Sequence, residues 1–245
     1  MTKNSHFKNL VHCMYNFFKT KAKNLLYIIS PQYRRIHRKN SLIWARTNVL
    51  KEVFLKQDYY WLIKDAPPNT WVIDIGAFIG DTAIYFAQFP NVKAVRAYEP
   101  IPDTWQEAKA NIEGSPFKDK IEISNLAVTG DGKPVQFSAH SWMSLEKGNE
   151  VKVNSVTLDE IINGLDGNIV IKSDCEGGEH TLFTASRLDK VSKIIMEEHE
   201  YADTKLRKYL TDSGFKINVV ATSPGLNYIY AERAVMAMRK KKRSG

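Results

Sequence analysis

The stretch Trp71-Val72-Ile73-Asp74-Ile75-Gly76-Ala77-Phe78-Ile79-Gly80-Asp81-Thr82 constrains this chain more than any other. Apolar residues from Trp71 to Ile75, interrupted only by Asp74, predict a short buried strand. Two glycines spaced by four follow, and then an unbroken apolar run, Ala83-Ile84-Tyr85-Phe86-Ala87. Strand, tight glycine turn and helix make the opening unit of an open α/β sheet. In such sheets ligands bind where the chain leaves the carboxyl end of the strand.

The turn narrows the ligand. A dinucleotide fingerprint needs G-x-G-x-x-G, with a middle glycine that lets backbone approach a pyrophosphate. Phe78 holds that position, so close approach by phosphate is disfavoured. The G-x-x-x-x-G-K-[ST] phosphate loop is also missing from the sequence. Asp74, near the strand end, repels phosphate and attracts a cation. A glycine turn beside a carboxylate suits a nucleoside that carries an amino acid and a positive centre. S-adenosylmethionine, with its ammonium and sulfonium groups, fits that description. Gly76, Ala77, Phe78, Gly80 and Asp81 line the predicted turn, with Asp74 at its entrance.

Charge divides the chain unevenly. Residues 1–51 hold eleven Lys or Arg and no acid, and residues 233–245 hold six and none. Residues 52–232 carry all 27 acids against 18 basic residues, a net charge of −9. The basic pI therefore belongs to the two ends and not to the body. At the start, Phe7, Leu10, Val11, Met14, Phe18 and Leu25 follow helical spacing with lysines among them. That pattern fits a helical extension with a solvated basic face, a surface that meets anionic membrane, or a contact with nucleic acid. Nucleic acid ranks last, because the body is acidic and no Asn-Pro-Pro-Tyr or Asp-Pro-Pro-Tyr tetrad follows the fourth strand.

The linker-like Asp65-Ala66-Pro67-Pro68-Asn69-Thr70 sets the expected organisation. Residues 1–69 form a basic helical extension, 70–232 the α/β domain, and 233–245 a disordered basic tail. Cys13 and Cys175 match no zinc or CxxC pattern, and no apolar run approaches the ~18 residues a bilayer span requires. The expected location is cytoplasmic, peripheral at a membrane if the basic start binds one.

Further along, Ala94 to Tyr98 predicts a second strand that ends at Glu99-Pro100. An acid at this distance from the first glycine can accept both ribose hydroxyls as a bidentate carboxylate. Pro100 and Ile101 beside it offer an apolar edge to adenine. Pro102 to Ile112 predicts a helix, and Ile121 to Ser124 a third strand. Asn125, at that strand's end, is either an adenine contact or a turn residue. Val135–Ala139 and Val151–Val156 predict two antiparallel strands, with Ser141 to Ser144 as a loop or lid between them. Thr157 with Glu160 predicts a capping box.

The second chemically loaded segment follows the predicted strand 168–173 and reads Lys172-Ser173-Asp174-Cys175-Glu176-Gly177-Gly178-Glu179. A lysine in an apolar strand must find a carboxylate or leave the core. Three acids within six residues repel one another and suit proton transfer. Asp174 is the expected base, with Glu176 beside it. The fifth strand, 191–196, leads into Glu197-Glu198-His199-Glu200, where His199 is a candidate base or an ordinary structural histidine. A helix around 205–210 and a closing hairpin, 215–222 with 227–231, complete the chain.

Taken together, Asp74-x-Gly76-Ala77-x-x-Gly80-Asp81-Thr82, Tyr98-Glu99-Pro100, Thr157-Leu158-Asp159, Lys172-x-Asp174-x-Glu176-Gly177-x-Glu179 and Glu197-x-His199 resemble the FkbM methyltransferase family over about residues 70–231. The resemblance implies a Rossmann-like, seven-stranded, mostly parallel sheet with helices on both faces and a terminal antiparallel hairpin. It also implies S-adenosylmethionine as methyl donor and a hydroxyl on a small molecule, sugar or glycan as acceptor. Gly178 departs from the family pattern, where alanine is commoner, and so does the long basic start. A divalent metal on Asp174, Glu176 and Glu179 is an alternative to a metal-free site, which is the expected state. A nucleic-acid methyltransferase and a non-catalytic binding module on the same fold are the competing functions.

Overall fold

In the computed structural model, residues 50, 53–54, 59–137, 151–174, 179–184, 186–199, 204–223 and 226–233 are described. The predicted N-terminal helix, the loop at Ser141–Ser144, Glu176 and the basic tail lie outside the described residues.

A seven-stranded sheet organises the described chain. Its strands are β1 (Thr70–Ile75), β2 (Val92–Tyr98), β3 (Ile121–Ser124), β8 (Ile169–Ser173), β9 (Val191–His199), β10 (Lys216–Ser223) and β11 (Leu226–Glu232). The order across the sheet is β10-β11-β9-β8-β1-β2-β3. Neighbours from β9 to β3 run parallel, and β11 is antiparallel to both β9 and β10. This is the expected mostly parallel sheet with its closing hairpin. The chain reverses its direction of travel across the sheet between β1 and β8, which puts a crevice at their carboxyl ends.

The helices follow from sequence signals. Between β1 and β2, α2 (Asp81–Ala87) is buried along its whole length. Proline opens α3 (Pro102–Glu113), where its missing N–H costs nothing, and Ala108 and Ile112 are buried. Helix α4 (Leu158–Asn163) has the predicted capping box, with Thr157 Oγ1 accepting from the Glu160 amide at 3.2 Å and Glu160 Oε2 accepting from the Thr157 amide at 2.9 Å. Later come α5 (Glu179–Thr184) and α6 (Thr204–Asp212).

Alternation along β1 separates two faces. Ile73 and Ile75 enter a core with Leu158, Ile161, Leu182, Phe183, Leu206 and Leu210 from α4, α5 and α6. Val72 and Asp74 face the other way, toward α2. On that side a short helix ahead of the sheet, α1 (Tyr60–Ile63), buries Leu62 and Ile63. Trp61 of α1 meets the Tyr230 ring edge-on at 5.2 Å, and the Lys193 ammonium donates to the Trp61 carbonyl at 3.3 Å.

Two expectations are corrected. Val151–Val156 is not one strand. Its first half, β6 (Val151–Val153), pairs antiparallel with β5 (Val135–Phe137), as expected. Its second half, β7 (Ser155–Thr157), pairs parallel with β4 (Ala127–Thr129). The switch falls at Asn154, whose carbonyl accepts from the Ala127 amide at 2.9 Å. The fifth strand also runs three residues past Met196, because β11 pairs with it as far as Leu226 opposite His199.

Candidate functional site

Asp74 occupies the second-last position of β1 and is fully buried. A buried carboxylate needs donors or a cation. The Thr82 hydroxyl donates to its Oδ2 at 2.5 Å, and the Lys172 ammonium lies 3.4 Å from its Oδ1. Strand register explains the pairing, since Asp74 and Lys172 sit opposite one another on β1 and β8. Lys172 also donates to the carbonyls of Gly76 at 2.6 Å and Ile75 at 3.2 Å. One ammonium thus ties the end of β1 and the glycine turn to β8. Burial favours the neutral amine, but Asp74, then Asp174, Asp81 and Glu197, outweigh it and hold the pKa of Lys172 above the ordinary lysine value. The sequence requirement that Lys172 find a carboxylate is met across strands, by Asp74.

The turn itself is tightly specified. Gly76, Phe78 and Gly80 all have left-handed backbone, with φ of 72°, 47° and 80°. The amides of Gly76 and Ala77 both donate to the Tyr98 carbonyl at 3.0 Å, which anchors the turn to the end of β2. At Gly76 the constraint is steric as well, because a Cβ there would stand 1.9 Å from the Asp174 carbonyl oxygen. Three loops therefore converge on one point, those that leave β1, β2 and β8.

Glu99 joins the first two. Its Oε2 accepts from the Phe78 amide and its Oε1 from the Ile101 amide, each at 2.9 Å. Behind it, the Asn125 side-chain amide donates to the carbonyls of Glu99 at 3.0 Å and Pro100 at 2.9 Å. Asn125 thus fastens the loop that carries Glu99, Pro100 and Ile101, and its amide oxygen is what it has left to offer a ligand. Burial pushes the Glu99 carboxyl up to about 7, against the hydrogen bonds from Ile101 and Phe78.

Asp81 opens α2 and is 4% exposed, yet its Oδ2 has no hydrogen-bond partner. Burial pushes this carboxyl up to about 7 as well, against the pull of Lys172. Asp174 stands one residue past β8. Its amide donates to the Ile75 carbonyl at 3.1 Å, while its Oδ1 is enclosed without a hydrogen-bond partner. His199 is the last residue of β9 by backbone pairing, and Glu176 lies outside the described residues. The geometry therefore gathers Asp74, Gly76, Phe78, Asp81, Glu99 and Asp174 around Lys172.

Several residues of the cluster carried no assignment in the sequence. Thr82 caps Asp74, and Tyr228 donates to Glu197 Oε1. Tyr59 is hydrogen-bonded to Tyr228 in turn. Glu197 stands in a quoted motif, but two phenols more than 160 residues apart leave no local pattern to read.

A family model described as the methyltransferase FkbM domain matches residues 74–217. The chain belongs to the FkbM methyltransferase family. It is accordingly an S-adenosylmethionine-dependent methyltransferase. Among solved structures, the FkbM methyltransferase of Methylobacillus flagellatus KT superposes with a TM-score of 0.50 at 15% identity, covering 74% of this chain and 52% of that one. The chain therefore spans about half of that protein. TrmK of M. capricolum in complex with S-adenosylhomocysteine matches with a TM-score of 0.45 at 15% identity, covering 71% of this chain and 66% of that one. A precorrin-6y C5,15-methyltransferase from Geobacter metallireducens GS-15 gives 0.44 at 14% identity over 69% of this chain and 83% of that one. A search among curated proteins finds no match.

The residues of this FkbM methyltransferase fit its cofactor. Four carboxylates, Asp74, Asp81, Asp174 and Glu197, act on a single buried ammonium, that of Lys172. The excess negative charge suits a ligand with an ammonium and a sulfonium, and the buried Oδ2 of Asp81 is an acceptor without a partner. Among the described residues no cluster of His, Cys, Asp and Glu could hold a metal ion. Nor is any helix among them long and apolar enough to cross a membrane.

Proposed function

We propose that this methyltransferase acts on oxygen, methylating a hydroxyl of a small molecule, sugar or glycan, and that Asp174 takes the hydroxyl proton. The observation that carries this reading is the Asp174 carboxylate itself. It stands at the carboxyl end of β8 beside the glycine turn, with one enclosed oxygen that has no hydrogen-bond partner. A neutral hydroxyl is a weak nucleophile and needs such a base, and an enclosed carboxylate without a donor is suited to receive a proton.

The cofactor supplies an electrophilic methyl group on a sulfur that leaves as a neutral thioether. This chain's residues then bind and orient. The turn from Gly76 through Ala77 and Phe78 to Gly80, with Asp81, would hold the amino-acid end. Glu99 would hold the ribose, and Pro100, Ile101 and the Asn125 amide oxygen the adenine. Asp74 shapes the turn through Thr82 and Lys172. His199 would assist at the acceptor side, and Glu176 with it. Alignment of acceptor and methyl group accounts for much of the expected acceleration. The basic N-terminus is proposed to bring a cytoplasmic enzyme to an anionic membrane surface.

The test is transfer of labelled methyl from S-adenosylmethionine into fractionated cell extract, with the product analysed for its new bond. A methyl ether is expected. Asp174→Asn should lower turnover by about 100-fold, on the scale of general-base catalysis, with S-adenosylhomocysteine affinity unchanged. An N-methyl product, or a fully active Asp174→Asn, contradicts the reading.

A further inference from the structure

We propose that Glu197 is a second carboxylate of the methyl-transfer site, sharing with Asp174 the task of receiving the acceptor's proton, and that Tyr228 and Tyr59 are positioning residues that hold it. This rests on the O-methylation reading above.

Ser173 of β8 pairs with Met196 of β9, so Asp174, just past the end of β8, follows level with Glu197 of β9. Glu197 in turn pairs directly with Tyr228 of β11. Side-chain alternation turns all three toward the face that carries Asp74 and Lys172. Parallel neighbours lie ~4.8 Å apart, which brings two level carboxylates within reach of one small group between them.

Glu197 is held in a way its neighbour is not. Tyr228 donates to its Oε1, and Tyr59, which is 7% exposed just ahead of α1, hydrogen-bonds Tyr228 from the other side. Glu198, the next residue, points to the opposite face and is taken up by Arg207 and by the Asn227 amide at 3.0 Å. Of this acidic pair, only Glu197 joins the charges around Lys172. Tyr59 and Tyr228 fall on either side of the family-matched span 74–217, yet both converge on this one carboxylate. The cluster also holds an unsatisfied acceptor, the buried Oδ2 of Asp81, whose charge acts on Tyr59.

Burial, then the charge and hydrogen bond of Glu197, raise the Tyr228 phenol above its ordinary pKa, and burial with Tyr228 and Glu197 does the same for Tyr59. Both phenols therefore remain protonated donors across the working pH range. They fix one oxygen of Glu197 without supplying or removing a proton.

The acceptor oxygen forms a bond to the methyl carbon as the carbon–sulfur bond breaks and its electron pair stays on sulfur. The hydroxyl proton passes to the carboxylates, Glu197 or Asp174, leaving a methyl ether, a neutral thioether and a protonated carboxyl that later returns its proton to water.

The experiment compares the full chain with its Glu197→Gln, Glu197→Asp, Tyr228→Phe and Tyr59→Phe variants in two assays. One measures methyl transfer into a glycan fraction of host extract against pH. The other follows phenol ionisation of the cofactor-free protein by ultraviolet difference spectroscopy. Glu197→Gln should lower kcat about 100-fold while the Kd for S-adenosylhomocysteine stays within about twofold, and Glu197→Asp should recover part of the loss. Tyr228→Phe should lower kcat about tenfold and shift the pH profile, the scale of one hydrogen bond to a charged group, and Tyr59→Phe should act less. In the cofactor-free protein, Glu197→Gln should let a phenol ionise at lower pH than in wild type. Wild-type kcat and pH profile in Glu197→Gln, or an unaltered phenol titration, would overturn the proposal. Product analysis keeps the two readings apart, since methylation of nitrogen by the wild type sinks the O-methylation reading before any variant is compared.

Discussion

Replacing Lys172 with methionine is expected to lower the unfolding free energy by about 3–5 kcal/mol, the scale for breaking a buried ion pair by removing one partner. The methionine matches the lysine stem in volume, so packing changes little. What is lost is the cation paired with a fully buried Asp74, together with donors to the carbonyls of Ile75 and Gly76. A uncompensated carboxylate must then take up a proton or draw in water. Urea denaturation at unchanged m-value measures the loss, and a change below ~1 kcal/mol would show that Lys172 is not the tie the geometry implies. The double variant Asp74→Leu with Lys172→Met should regain part of that stability, because apolar pairs replace buried ion pairs at little cost.

Gly76→Ala should be the second severe substitution, and Gly80→Ala at the same turn should be mild. Both glycines have left-handed backbone, a conformation that costs other residues ~1–2 kcal/mol. Gly80 adds only tight contacts at 3.2 Å, to the Ala108 carbonyl and the flexible Ile112 side chain. At Gly76 the new Cβ would overlap the Asp174 carbonyl oxygen at 1.9 Å, and that backbone cannot move without pulling β8 from β1. A total of ~3 kcal/mol or more follows for Gly76→Ala, measurable as a loss of thermal stability. If the two variants melt alike, the close approach of β1 and β8 is not what selects glycine.

The order of elements was legible because β1, β2 and β8 each end at a glycine or an acid. Trp71 to Ile75, Glu99-Pro100 and the capping box of Thr157 and Glu160 each carry a local signal that the tertiary structure leaves in place. The hairpin at the end of the chain was equally readable. Two features were not. The strand change at Asn154 depends on a hydrogen bond to Ala127, which no window around 154 contains. The Tyr59–Tyr228–Glu197 chain is assembled by register between β9 and β11 and by the approach of α1, so its members have no sequence neighbourhood in common. At the site, the sequence requires a carboxylate for Lys172, but that partner, Asp74, lies 98 positions earlier, where strand pairing brings it close.

The central claim is that the loops leaving β1, β2 and β8 hold one positively charged sulfur nucleoside. Hydrogen–deuterium exchange of the wild-type protein with and without S-adenosylhomocysteine tests it most directly. Slowed exchange should be concentrated at residues 76–81 and 99–101, with a smaller effect at Asp174. Absence of binding, or protection confined to the small sheets formed by β4 to β7, would contradict it.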